Sequence, residues 1–311
     1  MVTENSNNYS LKNQKKDFVS EFCLFNSHEK NLSDMTVRNY RNDLMLFERY
    51  TNSIPIDIEK ISNLQIRQYI SKLVEEKYSR KSIHRKITAI KNFFDFLLNH
   101  KIINQNPAEL IIRPKQNYSL PNVISFEDIE KLLDTPDISK PLGIRDKTIM
   151  ELIYGSGIRL SELINLTIND IDIKNRNGIV KGKGEKYRAI FFGEIACKWL
   201  NIYINKIRIK LDKKNTQEAL WLNRSGTKLS KRSVQHIIKR NVIKAKLDPS
   251  IHTHSLRHSY ATHMLDGGAD LRYLQELLGH ESPNTTQVYT HISKQKSREV
   301  YLASHPRAKK I

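Results

Sequence analysis

The stretch from residue 254 to residue 289 reads HSLRHSYATHMLDGGADLRYLQELLGHESPNTTQVY and organises the second half of the chain. Its pattern predicts a helix over 253–265, capped by Thr253, and a second helix over 271–278 that buries Leu271. Gly279 ends the second helix. A third helix begins at the Ser-Pro pair that follows, with proline in its first turn, and carries Tyr289.

Groups suited to phosphate chemistry lie along this stretch. His254 and Arg257 are one turn apart near a helix start, where backbone N–H groups already favour an anion. His280 follows a glycine, and Tyr289 lies nine residues further on. A phenol is a weak nucleophile, so Tyr289 needs positioning and a cationic field. Imidazoles, a guanidinium and a phenol are the groups needed to attack a phosphodiester without a metal.

Two upstream cations complete this set. Arg159 follows two glycines in YGSGIRLSEL, and its fork suits a phosphate. Lys183 lies between glycines at the tip of a predicted hairpin, where its ammonium can protonate a leaving oxygen. An earlier hairpin turn is predicted at Asn177-Gly178. The lone Gly-Lys-Gly also fits an ordinary basic turn, and it lacks the spacing of a P-loop.

A zinc site is the rival interpretation of the histidines. His254 and His258 have the i, i+4 spacing of a zinc helix, with His252 and His263 nearby. Ser255 stands where that motif needs its glutamate. We therefore favour structural roles for His258 and His263 and expect no metal and no other cofactor.

The first hundred residues predict a small helical bundle. Helices are expected from Asp17, from the Ser33 cap onward, over 63–76 with Leu64 inside, and over 79–99. Basic residues at the second and fourth helix starts suit phosphate contacts, although a solvated basic face explains them as well. Pro-containing residues 113–122 predict a linker, which gives domains 1–116 and 117–311.

Composition predicts the partner and the compartment. The formal net charge is +19, which indicates a polyanion, with nucleic acid as the first candidate. Two distant cysteines argue against a disulfide framework. No apolar run is long enough to cross a bilayer, and the polar start is not a secretory signal. We expect a cytoplasmic protein without membrane insertion.

At this point the chain resembles the tyrosine recombinases of the phage integrase family, specifically the Xer-type bacterial recombinases. The resemblance covers nearly the whole length. It is carried by NLSDMTVRNYRNDLMLF (31–47), YGSGIRLSEL (154–163), VKGKGEKYR (180–188), HTHSLRHSYATHML (252–265), LGHESPNTTQVYTHIS (278–293) and HPRAKK (305–310).

The resemblance implies a mainly α fold with a small antiparallel β-sheet. A four-helix core-binding bundle and an α+β catalytic domain would form a C-shaped clamp around DNA. The six implied catalytic residues are Arg159 and Arg257 on the phosphate, Lys183 at the leaving 5′-oxygen, His254 at the tyrosine, His280 on the phosphate, and Tyr289 as the nucleophile of a 3′-phosphotyrosyl link. Implied DNA contacts are Thr36, Arg38, Arg41, Lys81, Arg85, Lys231 and Arg232.

The implied reaction is site-specific recombination through a Holliday junction, in chromosome or plasmid dimer resolution. The implied partners are a double-stranded recombination site and a homo- or hetero-tetramer that exchanges C-terminal tails, with an accessory or activating protein. From the residues alone, the tail fits a frayed basic terminus equally well. The alternatives are a mobile-element integrase, a type IB topoisomerase-like enzyme and a non-catalytic DNA-binding protein.

Overall fold

A computed structural model of the chain describes residues 17–54, 56–112, 123–182, 187–212, 218–279 and 294–308. The chain divides into two units, one up to Ser119 and the other from Leu120. The predicted boundary between residues 116 and 117 lies outside the described residues and stays a prediction.

The described part of the first unit is built from four helices, as predicted. They are α1 (Phe18–His28), α2 (Asp34–Asn52), α3 (Asn63–Glu75) and α4 (Arg80–Asn99). A side-chain oxygen just before each helix accepts a backbone N–H of the first turn, which satisfies a donor that has no partner within the helix. The capping residues are Asp17, Ser33, Ser62 and Ser79.

The core of the first unit is aromatic. Phe22 and Phe93 are each 1% exposed, and their ring centroids lie 5.6 Å apart, edge to face. The predicted burial of Leu64 is wrong, since its side chain is 60% exposed. The inward stripe of α3 instead runs through Ile66 and Tyr69, which stand one turn apart.

A buried carboxylate joins α2 to α4. Asp43 has a side chain only 1% exposed and binds Lys86 at 2.9 Å, whose side chain is 3% exposed. It also binds Arg85, whose side chain remains partly exposed. A buried charge without its partner is costly, so this cluster depends on all of its members.

We expect Asp43→Asn to lower the free energy of unfolding of the first unit by roughly 3–5 kcal/mol, because Lys86 would stay buried without a counter-charge. Urea denaturation of the full chain measures the change. The matched control is Asp57→Asn, which removes an exposed pair with Lys60 and should cost at most about 1 kcal/mol. Equal effects of the two substitutions would contradict the expectation.

The second unit surrounds one buried helix. Its helices are α5 (Phe126–Asp134), α6 (Pro141–Ser156), α7 (Leu160–Leu163), α8 (Glu194–Ile202), α9 (Ile209–Leu211), α10 (Lys231–Lys244), α11 (Thr253–Asp266), α12 (Leu271–Leu278) and α13 (Lys294–Ser304). A π-helical segment, Tyr203–Arg208, joins α8 to α9. Helix α6 is buried continuously from Arg145 to Ser156 and packs against α8 and α11.

A three-stranded antiparallel sheet lies between α7 and α8 in sequence. Its strands are β1 (Ile171–Asp172), β2 (Asn177–Lys181) and β3 (Tyr187–Phe191), in the order β1-β2-β3. The predicted turn at Asn177-Gly178 is wrong, because both residues are paired in β2 and the turn covers 173–176. A Cβ at Gly178 would lie 2.8 Å from the Asp170 carbonyl oxygen, so close packing explains this glycine.

The segment that ends at residue 308 belongs to the core of the second unit. Tyr301 is 1% exposed, and His305 lies against the Tyr154 ring with centroids 5.2 Å apart. Arg307 donates to the buried carboxylate of Glu151 at 2.8 Å. Burial lowers the pKa of His305 to about 3, so its imidazole is neutral. A frayed terminus is therefore wrong for residues 294–308.

No helix among the described residues is both long enough and apolar enough to cross a bilayer.

Candidate active site

Helix α11 carries two of the predicted residues. Its first residue is Thr253, so the predicted cap is wrong, and His252 occupies that position with its backbone N–H 3.2 Å from the Ser255 hydroxyl oxygen. His254 is exposed on the first turn. Arg257, one turn later, is only 8% exposed and points into the unit.

The junction between α6 and α7 positions Arg159. Gly157 ends α6 with φ +59°, and a Cβ there would lie 2.5 Å from a Tyr260 ring carbon. Glycine is therefore needed at 157 for both its backbone conformation and the space around it, whereas Gly155 lies within α6. Arg159 then precedes α7, where its backbone N–H and one guanidinium nitrogen each donate to Glu162 at 2.9 Å.

Three arginines meet at the C-terminal end of α12. The last carbonyl oxygens of a helix have no partner within it and carry the negative end of its dipole. Three consecutive carbonyl oxygens each accept from a different arginine. The pairs are Arg188 with Leu277, Arg257 with Leu278 at 2.6 Å, and Arg159 with Gly279 at 2.7 Å.

Sequence reasoning missed two residues of this cluster, Arg188 and Glu162. Arg188 extends from β3 and donates to Glu162 at 2.7 Å, whose side chain is 2% exposed. The carboxylate thereby joins Arg188 to Arg159. The only sequence signal for Glu162 is its position three residues after Arg159, which favours a contact on the first turn. The direction in which Arg188 points depends on strand register.

The electrostatics of the cluster follow from burial and close cations. Burial, with Arg159 and Arg188 nearby, lowers the pKa of Arg257 to about 10. Burial acts to raise the pKa of Glu162, but Arg188 and Arg159 hold it below its usual value. The cluster therefore combines three guanidinium ions with one carboxylate at neutral pH and suits a polyanionic ligand.

The remaining predicted residues lie outside the described part of the chain. Lys183 is within 183–186, between β2 and β3 in sequence, and His280 and Tyr289 are within 280–293. Of the six, the structure brings together Arg159 and Arg257, with His254 on the same helix as Arg257.

Comparison with known families decides the assignment. The family model for the Phage integrase family matches residues 122–296, more than half of the chain. The chain belongs to the phage integrase family. A second family model, Phage integrase, N-terminal SAM-like domain, matches residues 19–101 of the chain.

Curated relatives identify the type of recombinase. Tyrosine recombinase XerC of Bacillus subtilis (strain 168) is 39% identical over 296 residues, covering 94% of this chain and 97% of the relative. Tyrosine recombinase XerD of Staphylococcus haemolyticus (strain JCSC1435) is 40% identical over 291 residues, covering 93% and 99%. The chain is thus a tyrosine-type site-specific recombinase of the Xer type. The two names match it equally well.

Solved structures share the fold of this recombinase. A XerH site-specific recombinase bound to palindromic difH substrate, in a post-cleavage complex, has a TM-score of 0.70 and 24% identity, covering 91% of this chain and 84% of that one. The Tn1549 transposon integrase in complex with circular intermediate DNA has a TM-score of 0.68 and 19% identity, covering 91% and 98%. The predicted fold class, a mainly helical protein with a small antiparallel sheet, is confirmed.

The residues predicted to contact DNA lie on three helices of the recombinase. Arg38 and Arg41 of α2, Lys81 and Arg85 of α4, and Lys231 and Arg232 of α10 are exposed. Two of the predicted contacts also have intramolecular partners. The Thr36 hydroxyl lies 2.9 Å from that of Ser33, and Arg85 binds Asp43.

The histidines weighed as zinc ligands have other neighbours in the recombinase. The His263 ring lies 2.9 Å from the Tyr154 hydroxyl, and His252 lies 2.8 Å from the Ser250 carbonyl oxygen. Within the described ranges, no group of three or more His, Cys, Asp or Glu side chains is arranged to hold a metal ion.

Proposed function

We propose that Arg159 and Arg257 bind the scissile phosphate of a DNA recombination site, with Tyr289 as the nucleophile. The supporting observation is their convergence at the end of α12, from separate elements, on consecutive carbonyl oxygens. His280 follows directly in sequence. Two guanidinium ions at one point supply the charge neutralisation that phosphoryl transfer needs.

In the proposed reaction the Tyr289 oxygen attacks phosphorus, and the bond from phosphorus to the 5′-oxygen breaks. His254 assists removal of the phenolic proton, Lys183 gives a proton to the departing 5′-oxygen, and His280 contacts the phosphate. The 3′-phosphotyrosyl bond conserves the phosphodiester, so a 5′-hydroxyl of the partner strand reverses the step without ATP or a metal.

Phosphate binding would exchange one set of acceptors for another. Arg159 and Arg257 donate to the carbonyl oxygens of Gly279 and Leu278, which are dipolar but uncharged acceptors. A phosphate oxygen carries charge and accepts stronger hydrogen bonds. The carbonyl oxygens therefore hold the two arginines close to the proposed phosphate site. When the phosphate binds, the arginines would donate to its oxygens in place of the carbonyl oxygens.

The basic helix faces supply the proposed DNA surface. In the second unit, an open groove of about 440 Å³ beside the start of α10 is lined by Arg224, Arg232, His236 and Arg240. In the first unit, the exposed cations of α2 and α4 would rest on the backbone or enter a groove. Each unit can thus contribute contacts to one duplex.

The proposed setting is resolution of chromosome or plasmid dimers in the cytoplasm, which the resemblance to Xer-type recombinases implies and which fits relatives named XerC and XerD. A tetramer on DNA, homo- or hetero-oligomeric, would exchange C-terminal tails between protomers and respond to an accessory protein. In the single chain, α13 packs on α11 and α12 of its own unit, so tail exchange would require it to leave that position.

A nicked suicide duplex carrying a candidate site tests the proposal. The nick lets a short 5′-hydroxyl fragment diffuse away, so that covalent protein–DNA adduct accumulates. We expect adduct in the presence of EDTA, since the mechanism uses no metal. Failure to form adduct on every candidate site from the same genome, or its loss on chelation, would contradict the proposed chemistry.

A further inference from the structure

Arg188 lies within the arginine cluster but is not one of the six predicted catalytic residues. It extends from β3, where it pairs with Val180, and its side chain is 13% exposed. One end of its guanidinium donates to the Leu277 carbonyl oxygen and the other to Glu162. Within the described ranges its Nε–H is buried and meets no acceptor. A long cation is thus held in place between a strand, a helix end and a carboxylate.

We propose that Arg188 is a positioning residue for the recombination reaction. By holding one oxygen of Glu162, it keeps that carboxylate from neutralising Arg159, which stays available to the scissile phosphate. The inference rests on the proposed function. It adds that Arg188, which is not one of the six predicted catalytic residues, controls how well Arg159 can bind the phosphate.

Both oxygens of the Glu162 carboxylate accept hydrogen bonds from arginines. Oε1 of Glu162 accepts from the Arg159 guanidinium at 2.9 Å, whereas Oε2 accepts from Arg188 at 2.7 Å and from the Arg159 backbone N–H at 2.9 Å. Glu162 is only 2% exposed, so water cannot solvate its charge. Without Arg188, the whole demand of this buried anion for a counter-ion would fall on Arg159.

Arg188 also contributes to the net positive charge of the cluster. Arg159, Arg188 and Arg257 are three cations against the one anion of Glu162, so these four side chains have a net charge of +2. A phosphodiester carries one negative charge, and a further one develops as the phenolic oxygen attacks. Removing Arg188 would reduce the net charge of these four side chains to +1, so they would neutralise less of the charge of the transition state.

Arg188 and Arg159 both pack closely against Gly279. A Cβ added to Gly279 would lie 2.8 Å from Arg188 Cδ and 3.3 Å from an Arg159 guanidinium nitrogen. Gly279 therefore has both arginine side chains against its backbone. This packing helps to keep Arg188 beside Glu162 and next to Arg159.

The test is single-turnover cleavage of the suicide duplex at saturating recombinase, with Arg188→Gln. We expect DNA affinity to be retained and adduct formation to slow roughly 10–10²-fold, less than the loss of a direct transition-state donor. The matched control is Arg176→Gln, which removes an arginine in the turn between β1 and β2 that is paired with Glu194 at 2.8 Å, and this variant should cleave at the parental rate.

A methylphosphonate at the scissile position separates this role from general support of the fold. Replacing one non-bridging oxygen by methyl removes the negative charge of the phosphate, so the cluster needs one cation fewer. We expect the deficit of Arg188→Gln to shrink to within about threefold of the parental protein on this substrate. A purely structural defect would slow both substrates equally.

The double variant Arg188→Gln/Glu162→Gln gives a second measurement and removes the buried uncompensated charge that could unfold the single variant. It restores the net charge of +2, so we expect faster cleavage than with Arg188→Gln alone. Parental cleavage by Arg188→Gln, an equal deficit on both substrates, or no recovery in the double variant would each overturn the inference. Absence of adduct with the parental protein would instead contradict the proposed function.

Discussion

Tyr289→Phe is expected to abolish the covalent protein–DNA adduct and leave DNA affinity within about twofold of the parental value, because the substitution removes one oxygen and no cation. A phenyl ring has no oxygen with which to form the bond to phosphorus. Denaturing gel electrophoresis of the suicide reaction separates adduct from free protein, and a filter or gel-shift assay measures binding.

Tyr187→Phe is the matched control for the loss of a phenolic oxygen. Tyr187 begins β3, and its side chain is 69% exposed, so the recombinase should retain parental adduct formation without its hydroxyl. Adduct from Tyr289→Phe would show that another residue is the nucleophile. Loss of adduct in Tyr187→Phe would show that the loss of adduct is not specific to the phenolic oxygen of Tyr289.

Arg257→Lys is expected to reduce adduct formation by roughly 10²–10³-fold, the loss seen when one preorganised transition-state donor is removed. The guanidinium of Arg257 bridges the carbonyl oxygens of Gly157 and Leu278, which requires two donors on one plane. A lysine ammonium is a point charge and cannot hold both acceptors or grip a phosphate in the same way.

Two measurements separate this effect from a folding defect. One unpaired buried carbonyl oxygen costs about 1–3 kcal/mol, so the thermal midpoint of Arg257→Lys should fall by several degrees without loss of the folded state. Arg176→Lys makes the same exchange at an exposed pair and should leave cleavage unchanged. Near-parental cleavage by Arg257→Lys would exclude a bidentate role for Arg257.

The helices of this recombinase were predictable because their signals are local. Ser33 and Ser79 each cap the helix predicted to begin there, since a hydroxyl followed by a helical period needs no distant partner. Gly279 also ends α12 as expected. Arg159 and Arg257 were predicted to act together from the chemistry that a phosphate needs and from the resemblance, and the structure brings them to adjacent carbonyl oxygens.

The wrong predictions concern features that depend on packing. Asn177-Gly178 has the composition of a tight turn, but close approach of Asp170 requires the glycine within a strand. The predicted burial of Leu271 also fails, with 56% of its side chain exposed, because the buried stripe of α12 passes through Leu274 and Leu277. Such choices among neighbouring positions depend on what the helix packs against.

The contact between Gly279 and Arg188 restricts the order in which substitutions can accumulate during divergence. A side chain at 279 would need a left-handed backbone at φ +64° and would meet the Arg188 stem at 2.8 Å, so we expect it to be tolerated better when residue 188 is shorter. A shorter residue at 188 in turn leaves Glu162 with a single counter-ion. We therefore expect substitutions at 162, 188 and 279 to be coupled, with a change of the carboxylate easing the loss of Arg188 and a shorter residue at 188 easing a side chain at 279.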